Sequence, residues 1–281
     1  MTATQQTADW IAAEYSAQEL HVWIMREAEI LAERTAPCDA AHTKETLTAL
    51  CAELLPDQTI PVILSGDTSE LHAVPHKPAD LRPVPEAGSG RLTIHRLPGL
   101  RQAAPTGYIT HAATRLAGFI TLNPNWDGVV CLPGARSCWA LLSAGEIVSF
   151  QCFSSLQILQ TLAPNDNAEW CRDSFAGALS DTMSRPERLA ARLSEAQAGQ
   201  DLGEFNEKQA QGRKLGALLG AELAATRAYW LGQNLALIGD PADAAGYAAA
   251  LEQQGLPVTV TDAKRMALAG LSVAYRTLTA S

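Results

Sequence analysis

No cluster of lysine and arginine occurs anywhere in this sequence of 281 residues, whose 21 basic side chains are outnumbered by 30 acidic ones for a formal charge of −9. Neutralising a nucleic-acid backbone needs several clustered cations, so that class of partner is excluded. A small anionic ligand is not, because one arginine can set the sign of a pocket. The six cysteines, at 38, 51, 131, 138, 152 and 171, have no C-x-x-C spacing. They also lack the density of a secreted disulfide scaffold, and they read as buried thiols in a reducing cytoplasm. The leading MTATQQTADW has neither a basic start nor an apolar run, so no secretory leader is expected. Nowhere do about 18 apolar residues follow one another uninterrupted, which is the length a membrane-spanning helix requires. With 47% hydrophobic and 18% charged residues, disorder is excluded, and the chain is one large globular domain or two of ordinary size.

What is present is concentrated in residues 129–158, VVCLPGARSCWALLSAGEIVSFQCFSSLQI. Apolar, β-branched runs at 129–132 and 147–153 flank turns at Pro133-Gly134 and Ala144-Gly145, which predicts strand, turn, strand, turn, strand. A glycine turn lets backbone N–H groups point at an anion such as phosphate. Ordinary hairpins use the same turn, and the turn alone does not decide between the two. Cys138 beside it would be reactive only in an activating environment.

Before this hairpin, residues 10–15 and 20–25 read as strands and 28–34 as a third strand or a short helix. Residues 44–55 form a striped helix capped by Thr43 and ended by Pro56-Asp57. A buried strand at 60–64 runs into Ser65-Gly66-Asp67. His72 and His76 are four apart and could share a helix face as metal ligands, with no third ligand evident. Residues 75–85 and 88–90 are a surface connection, followed by a strand at 92–95. Beyond Leu159 the chain turns helical, over 167–180, 186–198 and 204–231, where Gly212, Gly216 and Gly220 give a smooth face for close helix packing. A strand at 235–239 enters a glycine turn, and Asp240-Pro241 opens a helix through Tyr247. A strand at 258–261 and a helix at 263–278 complete an alternation that implies a βαβ unit with its ligand at the carboxyl ends of the strands.

The run Pro133-Gly134-Ala135-Arg136-Ser137-Cys138-Trp139 resembles P-G-T-H-S-K-W, the phosphate-binding hairpin of the 2-dehydro-3-deoxygalactonokinases. Ala135, Arg136 and Cys138 replace the threonine, histidine and lysine. Residues 14–23, EYSAQELHVW, are similar without gaps to that family's D-W-G-T-T-N-L-R-A-W, with Glu14 at the aspartate and Ser16 at the glycine. Asp9-Trp10 offers a rival match that requires a five-residue insertion. Gly66 falls in the sugar-acid loop, Pro98-Gly99-Leu100 matches P-G-L, and Gly220-Ala221-Glu222 matches G-A-E. Ile238-Gly239-Asp240-Pro241 with Tyr247 resembles I-G-x-P…Y, the element that supports adenosine. Residues 109–118, ITHAATRLAG, stand where the family has M-R-G-E-E-T-Q-L-I-G, so both carboxylates have become Ala112 and Ala113.

The resemblance implies an α/β chain with the two-lobed actin/hexokinase-type (ribonuclease H-like) fold and a cleft between lobes. Residues 1–124 would be the sugar-acid lobe and 125–281 the nucleotide lobe. It further implies a cytoplasmic kinase that uses ATP and Mg²⁺ to phosphorylate 2-dehydro-3-deoxy-D-galactonate, with homodimerisation left open. Glu14 would hold the metal, while Ser16, Gly134, Ala135, Arg136, Ser137, Gly239, Asp240 and Pro241 would bind the nucleotide. Gly66, Asp67 and Thr114 would face the sugar acid. No catalytic residue is assigned, because the alanines at 112 and 113 remove a general base of a kind worth about 10² to 10⁴ in rate. The alternative expectation is a relative that binds a nucleotide, metabolite or partner without transferring phosphate.

Overall fold

A computed structural model describes residues 8–52, 59–68, 70–163, 169–256 and 258–280. In chain order the elements are β1 (Trp10–Ser16), β2 (Glu19–Arg26), β3 (Glu29–Pro37), α1 (Thr43–Cys51), β4 (Ile60–Ser65), β5 (Leu71–Ala73), β6 (Val84–Ser89), β7 (Leu92–Arg96), β8 (Gly99–Gln102), β9 (Gly107–Ile109) and α2 (His111–Leu122). There follow β10 (Gly128–Leu132), β11 (Ser137–Ser143), β12 (Glu146–Phe153), α3 (Ser155–Leu162), α4 (Arg172–Ser184), α5 (Leu189–Asp201) and α6 (Glu207–Ala225). The chain closes with α7 (Arg227–Trp230), β13 (Leu235–Ile238), α8 (Pro241–Gln253), β14 (Thr259–Thr261) and α9 (Ala263–Thr279). Among the described residues no helix is long and apolar enough to cross a membrane.

The chain divides into two compact units. One comprises residues up to 126 with 143–149 and 263 onward, the other 127–142 and 150–262. The first boundary lies two residues from the one expected at 124. The last helix, however, belongs to the first unit rather than to the second. Its apolar stripe, Ala267, Leu271 and Ala274, packs with Trp10, Trp23 and Ile63, and Tyr275 stacks on Trp10 with ring centroids 4.3 Å apart.

The sheet of the first unit has the order β3-β2-β1-β4-β7-β6. Strand β1 is antiparallel to β2 and parallel to β4, and β4 is parallel to β7. Side chains alternate across a strand, so Trp10 and Ala12 join the α9 side while Ile11 and Ala13 join a second cluster with Leu47 and Cys51 of α1. Both faces are covered, which is why β1 reads as a continuous apolar run. The second unit repeats the plan in the order β12-β11-β10-β13-β14, with β10 antiparallel to β11 and parallel to β13. In each unit three consecutive strands form a meander, and the first of them starts a parallel run.

Several local expectations change. Residues 29–34 belong to strand β3, with Ala28 in the turn before it, and Asp39 rather than Thr43 is the capping side chain, accepting from the backbone N–H of His42 at the start of a short 3₁₀ turn ahead of α1. His72 lies on strand β5 and His76 makes a two-way backbone bridge with Ile147, so the pair shares no helix face. Residues 54–57 and 167, where two expected helix ends fall, lie outside the described residues.

In the second unit Lys214 of α6 is 3% exposed, and its ammonium donates to the side-chain carbonyls of Gln197 and Gln200 on α5, at 2.7 and 3.5 Å. Burial lowers its pKa, with Asp201 acting weakly the other way. Between that lowered value and the ordinary lysine value of about 10.4, the unfolded chain binds more proton than the folded one, so stability contributed by this site rises with pH. Urea unfolding of the parent and of Lys214→Met across pH 7 to 10 is expected to show the parent gaining on the variant as pH rises. A difference independent of pH would contradict this.

Candidate functional site

In the second unit β10 ends at Leu132 and β11 begins at Ser137, leaving residues 133–136 as the turn. Pro133 is buried, while Ala135 and Arg136 are exposed. Gly134 does not adopt a positive φ. An added Cβ there would meet only the Arg136 carbonyl oxygen, at 3.7 Å, so what the glycine provides is open space above the turn. At the carboxyl end of β13, a Cβ on Gly239 would lie 3.4 Å from Pro133 Cδ. The structure therefore brings residues 133–137 and 239–241 together. Asp240 is the N-cap of α8 by position, with φ −69° and ψ 150°, though its side chain makes no capping bond. The first N–H groups of α8 thus face the same region, where a helix amino terminus favours an anion.

Helix α3 is tied to the turn by the Gln157 backbone N–H donating to the Ala135 carbonyl at 3.1 Å. Helices α3, α6 and α8 enclose a cavity of about 620 Å³ whose wall includes Leu156, Leu159, Trp170, Gln211, Leu215 and Gly246. That volume falls within the range of small-molecule and cofactor sites, and its wall mixes apolar side chains with the charged groups of Glu169, Arg172, Lys208 and Asp243.

Ser137 is fully buried and donates to Glu222 at 2.7 Å. Its hydroxyl is therefore engaged inside the unit, and only its backbone is left for a ligand. The Cys138 thiol is pushed well above its ordinary range by its hydrogen bond to Cys152 and by burial, so it stays protonated. Cys152 is held below that range by the same bond, against burial, and by the Arg136 guanidinium beside it.

In the first unit Glu14 lies near the carboxyl end of β1 and is 2% exposed. Arg115 of α2 donates to it twice, Nε to Oε1 at 3.1 Å and Nη2 to Oε2 at 2.6 Å, and Nη2 also donates to Ser16 Oγ at 3.3 Å. This is a bidentate charge-assisted pair. A Mg²⁺ ion favours octahedral oxygen ligation and keeps several waters, and a buried carboxylate already clasped by a guanidinium does not fit it. Among the described residues no group of three or more His, Cys, Asp or Glu side chains gathers as a metal site. The geometry gives the Glu14 carboxylate to Arg115, and no metal role is assigned to it. Thr114 also differs from expectation: it is 2% exposed, with its Oγ1 2.6 Å from Ser65 Oγ, and it links α2 to β4 rather than facing a ligand. Ala112 and Ala113 are buried.

Gly66 has φ +96°, and a Cβ there would lie 2.1 Å from the Tyr15 carbonyl oxygen, so this turn requires glycine for both conformation and space. Arg96 at the end of β7 donates to the Gly66 and Asp67 carbonyls, at 3.2 and 2.8 Å. Asp67 borders a cavity of about 710 Å³ with Thr43, Lys44, Thr68, Glu86 and Arg96 in its wall. Glu86 pairs with both cations, at 3.1 Å to Lys44 and 2.9 Å to Arg96. The cavity sits beside the ends of β4 and β7, where open α/β sheets place ligands.

The role of Arg115 was not apparent from the sequence, and neither was the way Glu222 gathers Ser137, Trp139 and Tyr247. A signal existed for Glu222, because a lone carboxylate in the otherwise apolar ALLGAELAA of α6 is a residue that burial has to explain.

A model of the 2-keto-3-deoxy-galactonokinase family matches residues 17–274. The protein of Rhizobium meliloti (strain 1021) named Probable 2-dehydro-3-deoxygalactonokinase DgoK1 is 28% identical, over 97% of this chain and 98% of its own length. A crystal structure from Sinorhizobium meliloti, described as a 2-dehydro-3-deoxygalactonokinase protein, superposes with a TM-score of 0.85 at 24% identity, covering 96% of this chain and 99% of that one. The activator of the 2-hydroxyisocaproyl-CoA dehydratase from Clostridium difficile, solved with bound ADPNP, superposes at 0.55 with 11% identity, covering 96% and 95%. The fold is the actin/hexokinase-type α/β fold.

Proposed function

The chain belongs to the 2-keto-3-deoxy-galactonokinase family, and from that membership we propose that it transfers the γ-phosphoryl group of ATP to a 2-keto-3-deoxy sugar acid, with 2-dehydro-3-deoxygalactonate as the substrate. The observation that carries the nucleotide part of this reading is the contact of Pro133 with Gly239. It sets an exposed arginine, open backbone at Gly134 and the amino terminus of α8 around one region, beside a cavity of about 620 Å³.

Phosphoryl transfer asks a protein mainly for positioning and for positive potential around the phosphates. Arg136 supplies a guanidinium able to hold a phosphate in two bonds, where the family has histidine. The α8 terminus supplies a partial positive charge. Magnesium, when bound with ATP, would neutralise phosphate charge, but Glu14 as placed offers it no ligand, and no step is derived through it. In the first unit the cavity bordered by Asp67 is the space we assign to the sugar acid.

Losing the Arg136 contacts is expected to weaken ATP about tenfold to a hundredfold, the range for charged hydrogen bonds. An assay coupling ADP release to 2-dehydro-3-deoxygalactonate, run on the parent and on Arg136→Ala, tests the reading. It expects release that depends on the sugar acid, with a raised KM for ATP in the variant. A second reading, nucleotide binding without transfer, is favoured by the Glu14–Arg115 pair and by the alanines at 112 and 113. Under that reading ATP binds and the sugar acid stimulates no release. Absence of nucleotide binding would remove both.

A further inference from the structure

We infer that Glu222 is a positioning residue for the nucleotide site, acting through the donors it gathers; this rests on the nucleotide reading of the second unit. Glu222 is 2% exposed on α6, and its Oε1 accepts from Ser137 Oγ at 2.7 Å, Trp139 Nε1 at 2.8 Å and Tyr247 OH at 3.0 Å, with Tyr247 also 3.1 Å from Oε2. All three donors are neutral. Carboxylates in protein interiors are ordinarily paired with cations, so one whose partners among the described residues are all neutral calls for a reason.

The origin of the donors supplies it. Ser137 and Trp139 open β11, directly after the turn at 133–136, whereas Tyr247 lies on α8, the helix that Asp240 and Pro241 begin. One carboxylate group therefore fixes the exit of the turn against the helix that follows Gly239. These two elements have to keep a common register for phosphate to meet Arg136 and the α8 terminus together. A glutamine of the same shape cannot serve in this role. With its carbonyl at the Oε1 position it keeps Ser137 and Trp139, but its NH₂ then faces Tyr247, whose hydroxyl must turn from donor to acceptor, and the charge that strengthens all three bonds is lost. Glu222 touches no ligand in this scheme and acts only by holding the groups that do.

The test compares the parent, Glu222→Gln and Leu179→Val, the last a replacement in the same core that weakens packing without altering the hydrogen bonds. Amide hydrogen exchange over 134–137 and 242–247 is followed in the ligand-free protein, and ADP affinity is measured by titration at a temperature where all three are folded. Glu222→Gln is expected to speed exchange in both segments together and to weaken ADP about tenfold or more, as loss of a charged hydrogen-bond network does. Leu179→Val lowers the unfolding temperature and leaves both readouts near the parent. If Glu222→Gln changes neither segment, changes only one, or leaves ADP affinity intact while the parent binds ADP, the inference is overturned. Failure of the parent itself to bind ADP instead defeats the nucleotide reading, so the two failures are told apart.

Discussion

Arg115→Met is expected to remove about 3 to 5 kcal/mol of folding stability, because it leaves the Glu14 carboxylate buried without its counter-charge. Glu14 is 2% and Arg115 12% exposed, so water cannot replace the lost partner without reopening the packing around β1 and α2. The double replacement Glu14→Met with Arg115→Met is expected to recover most of that loss, since exchanging a buried pair for apolar groups is often neutral or better. Urea unfolding of the two single variants and the double variant gives the coupling energy directly. A loss below about 1 kcal/mol for Arg115→Met, the value of an exposed ion pair, would mean that Glu14 does not depend on the arginine and is free to meet a metal.

Gly216→Val should be comparably damaging for a different reason. A Cβ at Gly212, Gly216 or Gly220 would come to 2.5, 2.3 or 2.5 Å from the carbonyl oxygens of Cys171, Phe175 and Leu179 on or just ahead of α4. Real Cβ atoms do not approach that closely, and the obstacle is backbone, which has no rotamer to change. The helices would have to part, loosening Phe175, Leu179, Leu215 and Leu219 in the core between them. The expected cost is at or above about 3 kcal/mol, the upper end of ordinary overpacking. Gly177 on α4 is the counterexample: a Cβ there meets nothing within 4 Å, so Gly177→Ala is expected to add about 0.5 to 1 kcal/mol through helix propensity. Thermal unfolding of the two variants should move in opposite directions, and a shared sign would show the close contact to be misplaced.

How much of this was legible in the sequence follows from how far apart the interacting residues are. The hairpins at 10–26 and 128–153 were readable because alternation and turn dipeptides are local signals. The glycine stripe of α6 was readable as a packing face because its period matches a helix, although the sequence did not name α4 as the partner. The meeting of 133–137 with 239–241 came from family resemblance, since nothing in either segment announces the other.

What failed to show lies at long range. Arg115 is 101 residues from Glu14, and Ser137 is 85 from Glu222. A stripe on the last helix says that it is buried but not against which sheet, and so α9 was placed with the wrong unit. Thr114 matched a family position and looked outward on that ground, whereas its hydroxyl is satisfied by Ser65 inside the fold. The departures at Glu14, Ser16 and Arg115 are scattered in sequence and converge into one hydrogen-bonded group in space.

Calorimetric titration of ATP into the parent and into Arg136→Ala bears most directly on the central claim that the turn after β10 and the end of β13 together hold a nucleotide. The account predicts a single ATP bound by the parent and an affinity about tenfold or more lower in the variant. No ATP bound by the parent, with or without Mg²⁺, or equal affinity in the two proteins, would contradict it.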